Sequence, residues 1–249
     1  MIGARDLSLA FGATPVLAGV TLDIPAGTSL AVIGPSGTGK SVLLKCLLGL
    51  MTPDAGAVLL DGAPVTGARG WAALRARAGV LFQGAALFDS LRVWENVAFR
   101  FLHGPRRLPR AQARALAMER LARVGLPRDV ADRAPAALSG GMQKRAGLAR
   151  AIAADPDLLF FDEPTTGLDP IAAGQIDALI REIVTERGAT ALTITHDLAS
   201  VHRIADEVAL LAGGALRWRG PASELPHCEE PHVRQFVEGR AEGPIRAGV

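Results

Sequence analysis

Apolar runs and helical patterns alternate along most of the 249-residue chain. Residues 29–33 and 157–163 are nearly continuous apolar runs that end in Gly34 and in a pair of carboxylates, as expected of buried strands. Weaker patterns predict further strands at 56–62, 79–83, 190–195, 207–212 and 215–218. Between them, helices are expected at 41–50, at 171–187, after His196-Asp197 and at Pro231–Glu238. The alternation predicts an α/β protein.

The first residues follow a different pattern. Residues 2–9 and 16–24 alternate apolar and polar positions around a turn at Gly12-Ala13-Thr14-Pro15, which predicts two antiparallel strands. Phe11 lies at this turn, where an aromatic ring could stack on a purine. The alternative is a hydrophobic plug for the hairpin.

From Gly84 to about Ala154 the pattern becomes helical. Apolar positions recur every three or four residues in 92–102 and 110–124, and a third helix is expected to begin after Ser139, a good N-cap residue. The loop at 103–110 is basic and rich in proline, and we interpret its charges as solvated.

Composition narrows the classes of function. Hydrophobic residues make up 49% of the chain and charged residues 21%, as in ordinary folded proteins, and the net charge of +2 does not favour nucleic acid as a partner. Cys46 lies in an apolar helical pattern, far from Cys228, so we expect a buried thiol and a reducing compartment.

We expect neither a secretory leader nor a membrane span. Asp6 interrupts the start of the chain, and Lys45 interrupts the longest apolar stretch, which is far shorter than the roughly 18 residues that cross a bilayer. The expectation is a chain that is soluble by itself and reaches a membrane only through a partner.

Residues 34–41 fit the pattern G-x-x-x-x-G-K-[ST], a loop whose backbone N–H groups can surround a polyphosphate. The loop needs a strand before it and a helix after it, because the N-terminus of a helix attracts phosphate. The predicted strand at 29–33 and the predicted helix at 41–50 provide this context. Lys40 suits the β- and γ-phosphate oxygens, and the Ser41 hydroxyl suits Mg²⁺. The predicted phosphate-binding residues are Gly34, Pro35, Ser36, Gly37, Thr38, Gly39, Lys40 and Ser41.

Polar side chains at strand ends supply the expected chemistry. Asp162 can hold Mg²⁺, and Glu163 can orient or deprotonate an attacking water. The Gln83 amide can reach the metal or that water, and His196 can hydrogen-bond the γ-phosphate. A solvated turn is the alternative for the two carboxylates, and an ordinary surface histidine is the alternative for His196.

Ser139, Gly140 and Gly141 open a helix and form a second candidate anion cradle, from exposed N–H groups and a hydroxyl. One chain therefore carries two predicted phosphate-binding surfaces.

Over residues 2–225 the chain resembles the ATP-binding subunits of ABC transporters. Residues 34–41 match Walker A, 158–162 Walker B and 138–141 the signature motif. Gln83 matches the Q-loop, Gly167-Leu168-Asp169 the D-loop, and His196 the switch histidine.

The resemblance implies a P-loop NTPase core at 1–83 and 155–225 that includes an antiparallel β subdomain. It also implies an inserted α-helical subdomain at 84–154 and a C-terminal tail at 226–249. The implied cofactors are ATP and Mg²⁺, with Ser41, Gln83 and Asp162 at the metal and Glu163, His196 and Gln83 as catalytic residues.

In that family two subunits form a head-to-tail dimer with two ATP molecules between them. Ser139, Gly140, Gly141 and Asp169 then contact nucleotide across the interface. One position departs from the family: Met142 stands where glutamine is usual, and methionine cannot donate an amide hydrogen bond. Since Ser139, Gly141, Glu163 and His196 are all present, we still expect hydrolysis.

Three segments, at 138–142, 84–88 and 232–239, resemble the Mla/Mce-type phospholipid transporter ATPases. That resemblance implies an integral membrane permease dimer, a periplasmic Mce-type lipid-binding protein and a small STAS-domain protein as partners. It places the subunit peripherally on the cytoplasmic face of the inner membrane. An amino-acid or other small-solute importer is the alternative.

The family's permease contact is a groove bounded by the segment after Gln83. Phe88, Leu91, Val93 and Trp94 lie in this segment and could receive a short permease helix. Packing inside the helical subdomain is the alternative for these four side chains.

The sequence argues against two other classes of function. A soluble ABC ATPase of DNA repair or translation would carry a long coiled coil, zinc-binding cysteines or a second cassette, none of which the sequence contains. A GTPase would need a guanine-recognition motif of the type N-K-x-D, and no such tetrapeptide occurs in the sequence.

Overall fold

The computed structural model of the chain describes residues 1–245. The strands are β1 (Ile2–Phe11), β2 (Thr14–Ile24), β3 (Ser29–Ile33), β4 (Ala55–Leu60), β5 (Ala63–Pro64), β6 (Ala78–Leu81), β7 (Leu158–Asp162), β8 (Thr190–Ile194), β9 (Glu207–Ala212) and β10 (Ala215–Pro221). The α-helices are α1 (Lys40–Leu47), α2 (Gly67–Arg77), α3 (Val93–Val97), α4 (Phe99–His103), α5 (Arg110–Arg123), α6 (Gly140–Ala151), α7 (Pro170–Arg187), α8 (Leu198–Ile204) and α9 (Pro231–Glu238). Short 3₁₀ helices occupy Arg128–Asp132, Pro135–Ala137 and Ala222–His227.

The strands form two sheets. A four-stranded antiparallel sheet has the order β2-β1-β4-β5, and a six-stranded sheet has the order β10-β9-β3-β8-β7-β6. All neighbours in the larger sheet are parallel except β10, which runs antiparallel to β9. The predicted α/β fold with an N-terminal antiparallel part is therefore correct.

Side chains of β7 alternate between two cores, as the period of two along a strand requires. Leu159 and Phe161 pack with helices α3 and α5 to α7, whereas Leu158 and Phe160 pack with α1 and the antiparallel sheet. Because both faces of β7 are covered, its sequence is continuously apolar up to Asp162.

Two elements differ from the sequence prediction. Helix α2 was not predicted, since it contains Gly67 and Gly70 and buries only Leu74, which leaves no apolar stripe to detect. The expected helix at 92–102 is broken at Ala98, where the chain turns. Val97 before the break is buried in the core, whereas the ring of Phe99 after it packs against the ring of Phe88, with 4.6 Å between the ring centroids.

The thiol prediction is correct for Cys46, which is buried in helix α1 and forms no disulfide. Among residues 1–245, no helix has the length and apolar character that crossing a bilayer requires. Residues 246–249 of the predicted tail lie outside the described part of the chain.

Candidate functional site

Three neighbouring parallel strands end at the same edge of the larger sheet. In the register of the sheet Val32 pairs with Ile194, and Ile194 pairs with Asp162. The residues that follow β3, β8 and β7 therefore meet at one place. They are the glycine-rich loop, His196 and Glu163.

The glycine-rich loop runs between β3 and α1, and two of its glycines are required by the packing. A Cβ at Gly34 would lie 2.1 Å from the Leu211 carbonyl oxygen, and one at Gly39 would lie 2.8 Å from the Val16 carbonyl oxygen. Gly39 also has φ of 96°, a conformation that other residues rarely adopt. The Thr38 hydroxyl donates to the Pro35 carbonyl at 2.9 Å and closes the turn.

Lys40 begins α1 and is 7% exposed. Its Nζ donates to the carbonyl oxygens of Gly34 at 2.7 Å and Pro35 at 2.8 Å, so the ammonium group lies inside the loop. Burial lowers the pKa of Lys40, and the charges of Glu163 and Asp162 partly oppose that shift. The loop thus presents a pre-positioned cation to an incoming polyphosphate.

Ser41 and Asp162 form the candidate magnesium site. The Ser41 hydroxyl donates to Asp162 Oδ1 at 3.0 Å, and Asp162 is 5% exposed. Burial raises the pKa of Asp162, the hydrogen bond from Ser41 lowers it, and the charge of Glu163 raises it further. A hydroxyl and a carboxylate oxygen are ligands that fit Mg²⁺, which takes few protein ligands and completes its shell with water and phosphate oxygens.

Glu163 has φ of 49°, in the left-handed region, and its N–H donates to the Ile194 carbonyl at 2.8 Å. Its carboxylate is held on both sides, since Oε2 accepts from the Thr166 hydroxyl at 2.9 Å and Oε1 lies 2.9 Å from His196 Nδ1. The side chain of Glu163 is 12% exposed and that of His196 is 58% exposed. A partly buried carboxylate at the rim of the loop is suited to act on water.

A cleft of about 470 Å³ brings most of the predicted residues together. Phe11, at the end of β1, is 54% exposed and lines this cleft, as a ring available for stacking must be. The other predicted residues that line the cleft are Ser36, Gly37, Gly39, Lys40, Ser41, Gln83, Glu163 and His196.

The second anion cradle is not part of this cleft. Ser139 caps α6, its hydroxyl accepting from Met142 N at 3.3 Å, and Ser139 and Gly140 are exposed. Asp169 caps α7 and accepts from the N–H groups of Ile171 and Ala172. Neither Ser139, Gly140, Gly141 nor Asp169 lines the cleft of its own chain.

Met142 packs partly buried against the core of helices α3 to α7. The amide of Gln143 does not take its place, because Nε2 donates to the carbonyls of Pro135 at 3.2 Å and Leu138 at 3.3 Å. Gln143 therefore holds the segment that leads into α6.

Two residues at the site were missed from the sequence. Thr166 orients the Glu163 carboxylate, and Lys144 donates from Nζ to the Glu163 carbonyl oxygen at 3.0 Å. Lys144 shares a helix face with Leu148 and Ala151, which are four and seven residues later, so its burial could have been detected from the spacing.

Comparisons with known proteins agree with this geometry. The family described as "ABC transporter" matches residues 17–166. The probable ribonucleotide transport ATP-binding protein mkl of Mycobacterium leprae is 41% identical over 246 residues, which are 98% of this chain and 70% of that protein. The intermembrane phospholipid transport system ATP-binding protein MlaF of Escherichia coli K12 is 39% identical over 247 residues, which are 98% of this chain and 91% of that protein.

A solved structure is similar over nearly the whole chain. It is a dimeric ATP-binding cassette in a post-hydrolysis state bound to ADP and Pi, with a TM-score of 0.81 and 28% identity, covering 89% of this chain and 99% of that one. Fold, cleft and family match agree, and the chain belongs to the ABC transporter family as one of its ATP-hydrolysing subunits.

Proposed function

We propose that this chain powers phospholipid transport between two membranes, as the ATPase of an Mla/Mce-type transporter. The observation that carries the proposal is the match to the E. coli intermembrane phospholipid transport protein, which extends along 91% of that relative. A match that covers 98% of this chain includes α9 and the segments around it, which lie beyond residues 17–166, the part that the family model matches.

A small-solute importer is the second candidate. It is favoured by the M. leprae relative, whose name states ribonucleotide transport and whose identity to this chain is 41%. The two candidates share the ATPase cycle and differ in the cargo of the permease.

In the proposed cycle ATP lies on residues 34–41 with its base beside Phe11. The triphosphate meets the Lys40 ammonium. Ser41 and Asp162 would hold Mg²⁺ with Gln83 nearby, and the metal would neutralise charge on the phosphates. Glu163 orients the attacking water and takes its proton, and His196 hydrogen-bonds the γ-phosphate. The Thr166 hydroxyl keeps the Glu163 carboxylate in place.

We further propose a head-to-tail homodimer. Ser139, Gly140 and Asp169 are exposed and do not line the cleft of their own chain, which suits contact with the nucleotide of a second copy. Ile171, next to the D-loop, is 77% exposed. Its apolar side chain would be removed from water in a dimer. In this arrangement residues 1–83 and 155–225 form the ATP-binding core and 84–154 the helical subdomain.

An apolar hollow of about 510 Å³ is the proposed permease contact. It lies between the end of α1, α2, β6 and α4, and is lined by Leu48, Leu50, Ala72, Arg75, Ala76, Ala78, Val80, Phe82, Arg100 and Pro105. Of the four side chains predicted to receive the permease, Val93 and Trp94 are buried in the core, so the alternative interpretation is correct for them. Phe88 and Leu91 do not line the hollow; Phe88 is 45% exposed and Leu91 is partly buried, and we propose that Phe88 adds a second part to the contact.

Changing Leu50 to aspartate is expected to prevent capture of the permease by the tagged chain, because a carboxylate in the hollow cannot be desolvated against an apolar helix. Leu50 is 54% exposed, so the variant should fold and bind ATP normally. Ala111→Asp, on the exposed surface of α5 away from the hollow, is the matched control. Normal permease capture by Leu50→Asp, with ATP binding intact, would reject the hollow as the docking site.

The remaining proposed partners are a periplasmic Mce-type lipid-binding protein and a small STAS-domain protein. The chain would then lie peripherally on the cytoplasmic face of the inner membrane, held by the permease. Helix α9 and residues 239–245 are held together by Gln235, whose side chain bonds the backbone N–H and carbonyl of Ile245. This ordered C-terminal segment is a candidate surface for the small partner.

The proposal is tested by purifying the chain with its membrane partner and identifying what co-purifies. Phospholipid in the complex, and ATPase activity that rises on reconstitution into phospholipid vesicles with the Mce-type protein present, are expected. ATPase activity that responds to ribonucleotides or amino acids but not to the lipid-binding protein would support the second candidate instead.

A further inference from the structure

Lys144 is a buried lysine with no assigned role. It lies on α6, five residues after Ser139, and is 5% exposed. Burial lowers the pKa of Lys144, while the charges of Glu163 and Asp162 partly oppose that shift. An ammonium group is costly to remove from water, so a buried one is expected to make a contact that matters.

That contact is with the backbone of Glu163. Lys144 Nζ donates to the Glu163 carbonyl oxygen at 3.0 Å. The peptide after Glu163 leads into Pro164, and Glu163 itself has φ of 49°, a conformation that a non-glycine residue keeps only when its surroundings hold it. The Glu163 N–H is fixed by the Ile194 carbonyl, and Lys144 fixes the carbonyl side of the same residue.

Helix α6 connects this contact to the second anion cradle. Ser139 is the N-cap residue of the helix, and Lys144 follows about 7.5 Å further along its axis, on the buried side. A helix moves as a rigid unit over this distance, so a shift of its N-terminus carries the Lys144 ammonium with it. The N-terminus of α6 is thus exposed, while Lys144 in the second turn of the same helix is hydrogen-bonded to Glu163.

We propose that Lys144 is a positioning residue for hydrolysis. By holding the Glu163 carbonyl, it keeps Glu163 in the backbone conformation from which the carboxylate reaches His196 and Thr166. When the N-terminus of α6 contacts the nucleotide bound to a second copy, the resulting shift of α6 moves Lys144. The hydrogen bond from Lys144 then changes the position of Glu163 in its own chain. This inference rests on the proposed roles of Glu163 and of the dimer.

The test compares Lys144→Met and Lys144→Arg with the parent chain in steady-state ATPase assays of the full-length protein. Methionine has similar length but cannot donate, so kcat is expected to fall about 10–100-fold while KM changes less than about twofold, as for a displaced catalytic group. Arginine can still donate to the carbonyl and should restore kcat to within about threefold. Lys45→Met, at an exposed lysine of α1, is the matched control and should leave kcat unchanged.

Two measurements separate positioning from a structural role. Thermal unfolding should show that Lys144→Met is fully folded at the assay temperature, because the avoided cost of burying an ammonium group offsets the lost hydrogen bond to the Glu163 carbonyl. In a Glu163→Gln background, single-turnover rates should show less than about a twofold further loss from Lys144→Met, since both changes act through one group.

A kcat for Lys144→Met within twofold of the parent, an equal loss in Lys144→Arg, or a full additional loss in the Glu163→Gln background would each overturn the inference. The proposed role of Glu163 as general base is tested separately. If Glu163→Gln alone hydrolyses ATP at the normal rate, that role is wrong whatever the result for Lys144. If Glu163→Gln is inactive and Lys144→Met is normal, only the positioning role fails.

Discussion

Replacing Glu163 by glutamine is expected to lower ATP turnover at least ~10²-fold, because the residue loses its capacity to take a proton from water. The shape of the site should survive. Glutamine has the same length, its amide oxygen can accept from the Thr166 hydroxyl, and its N–H can donate to His196 Nδ1. ATP binding should therefore persist, and ATP-bound dimers should accumulate, as measured by gel filtration with MgATP and by release of phosphate.

Glu182→Gln is a matched control, because it removes a carboxylate on α7 that is half exposed and pairs with Arg123. Its turnover should equal that of the parent. Near-normal phosphate release by Glu163→Gln would remove Glu163 from the role of general base, and loss of ATP binding would show that the substitution disturbs the loop instead.

Replacing Lys40 by methionine is expected to weaken ATP binding at least ~10²-fold and to abolish measurable turnover. Each charge-assisted hydrogen bond to phosphate is worth more than a neutral one, and the Lys40 ammonium is already oriented by two carbonyl oxygens before the nucleotide arrives. Little side-chain entropy is then lost on binding. The affinity is measured by titration with a fluorescent ATP analogue in the presence of Mg²⁺.

Lys45→Met provides a stringent comparison, since Lys45 lies on the same helix but is exposed. Its affinity for ATP should change less than about twofold. Folding is controlled by thermal unfolding without nucleotide, where Lys40→Met should be fully folded at the assay temperature, because the avoided cost of burying an ammonium group offsets its two hydrogen bonds to carbonyl oxygens. Unchanged ATP affinity in Lys40→Met would contradict the assignment of the loop.

The elements that local sequence specifies were found where the pattern predicted them. Helix α9 begins and ends as predicted, at Pro231 and Glu238, because proline, an N-cap glutamate and a final glycine are all local signals. Strand β7 ends at Asp162 because the apolar run ends there. Helix α2 was missed because its glycines and its single buried side chain, Leu74, leave no apolar pattern, and the break at Ala98 was missed because packing, not local preference, determines it.

The residues of the site divide in the same way. The sequence alone predicted the glycine-rich loop, the carboxylates at the end of β7 and the histidine after β8, since motif spacing and strand ends are readable along the chain. It could not decide which side chains meet, because that depends on the order and register of strands far apart in sequence. Only the tertiary structure brought Ser41 to Asp162, Glu163 to His196 and Lys144 to the Glu163 carbonyl.

The tertiary structure also decided which apolar residues are available to a partner. Val93, Trp94 and Phe88 are all apolar and close in sequence, yet the first two are buried and Phe88 is 45% exposed. The hydrophobic effect depends on the apolar area removed from water and has no preferred direction. The hydrophobicity of a residue therefore does not tell whether its side chain is buried in the protein's own core or contacts a second protein. That distinction is made by the surfaces that the folded chain leaves uncovered.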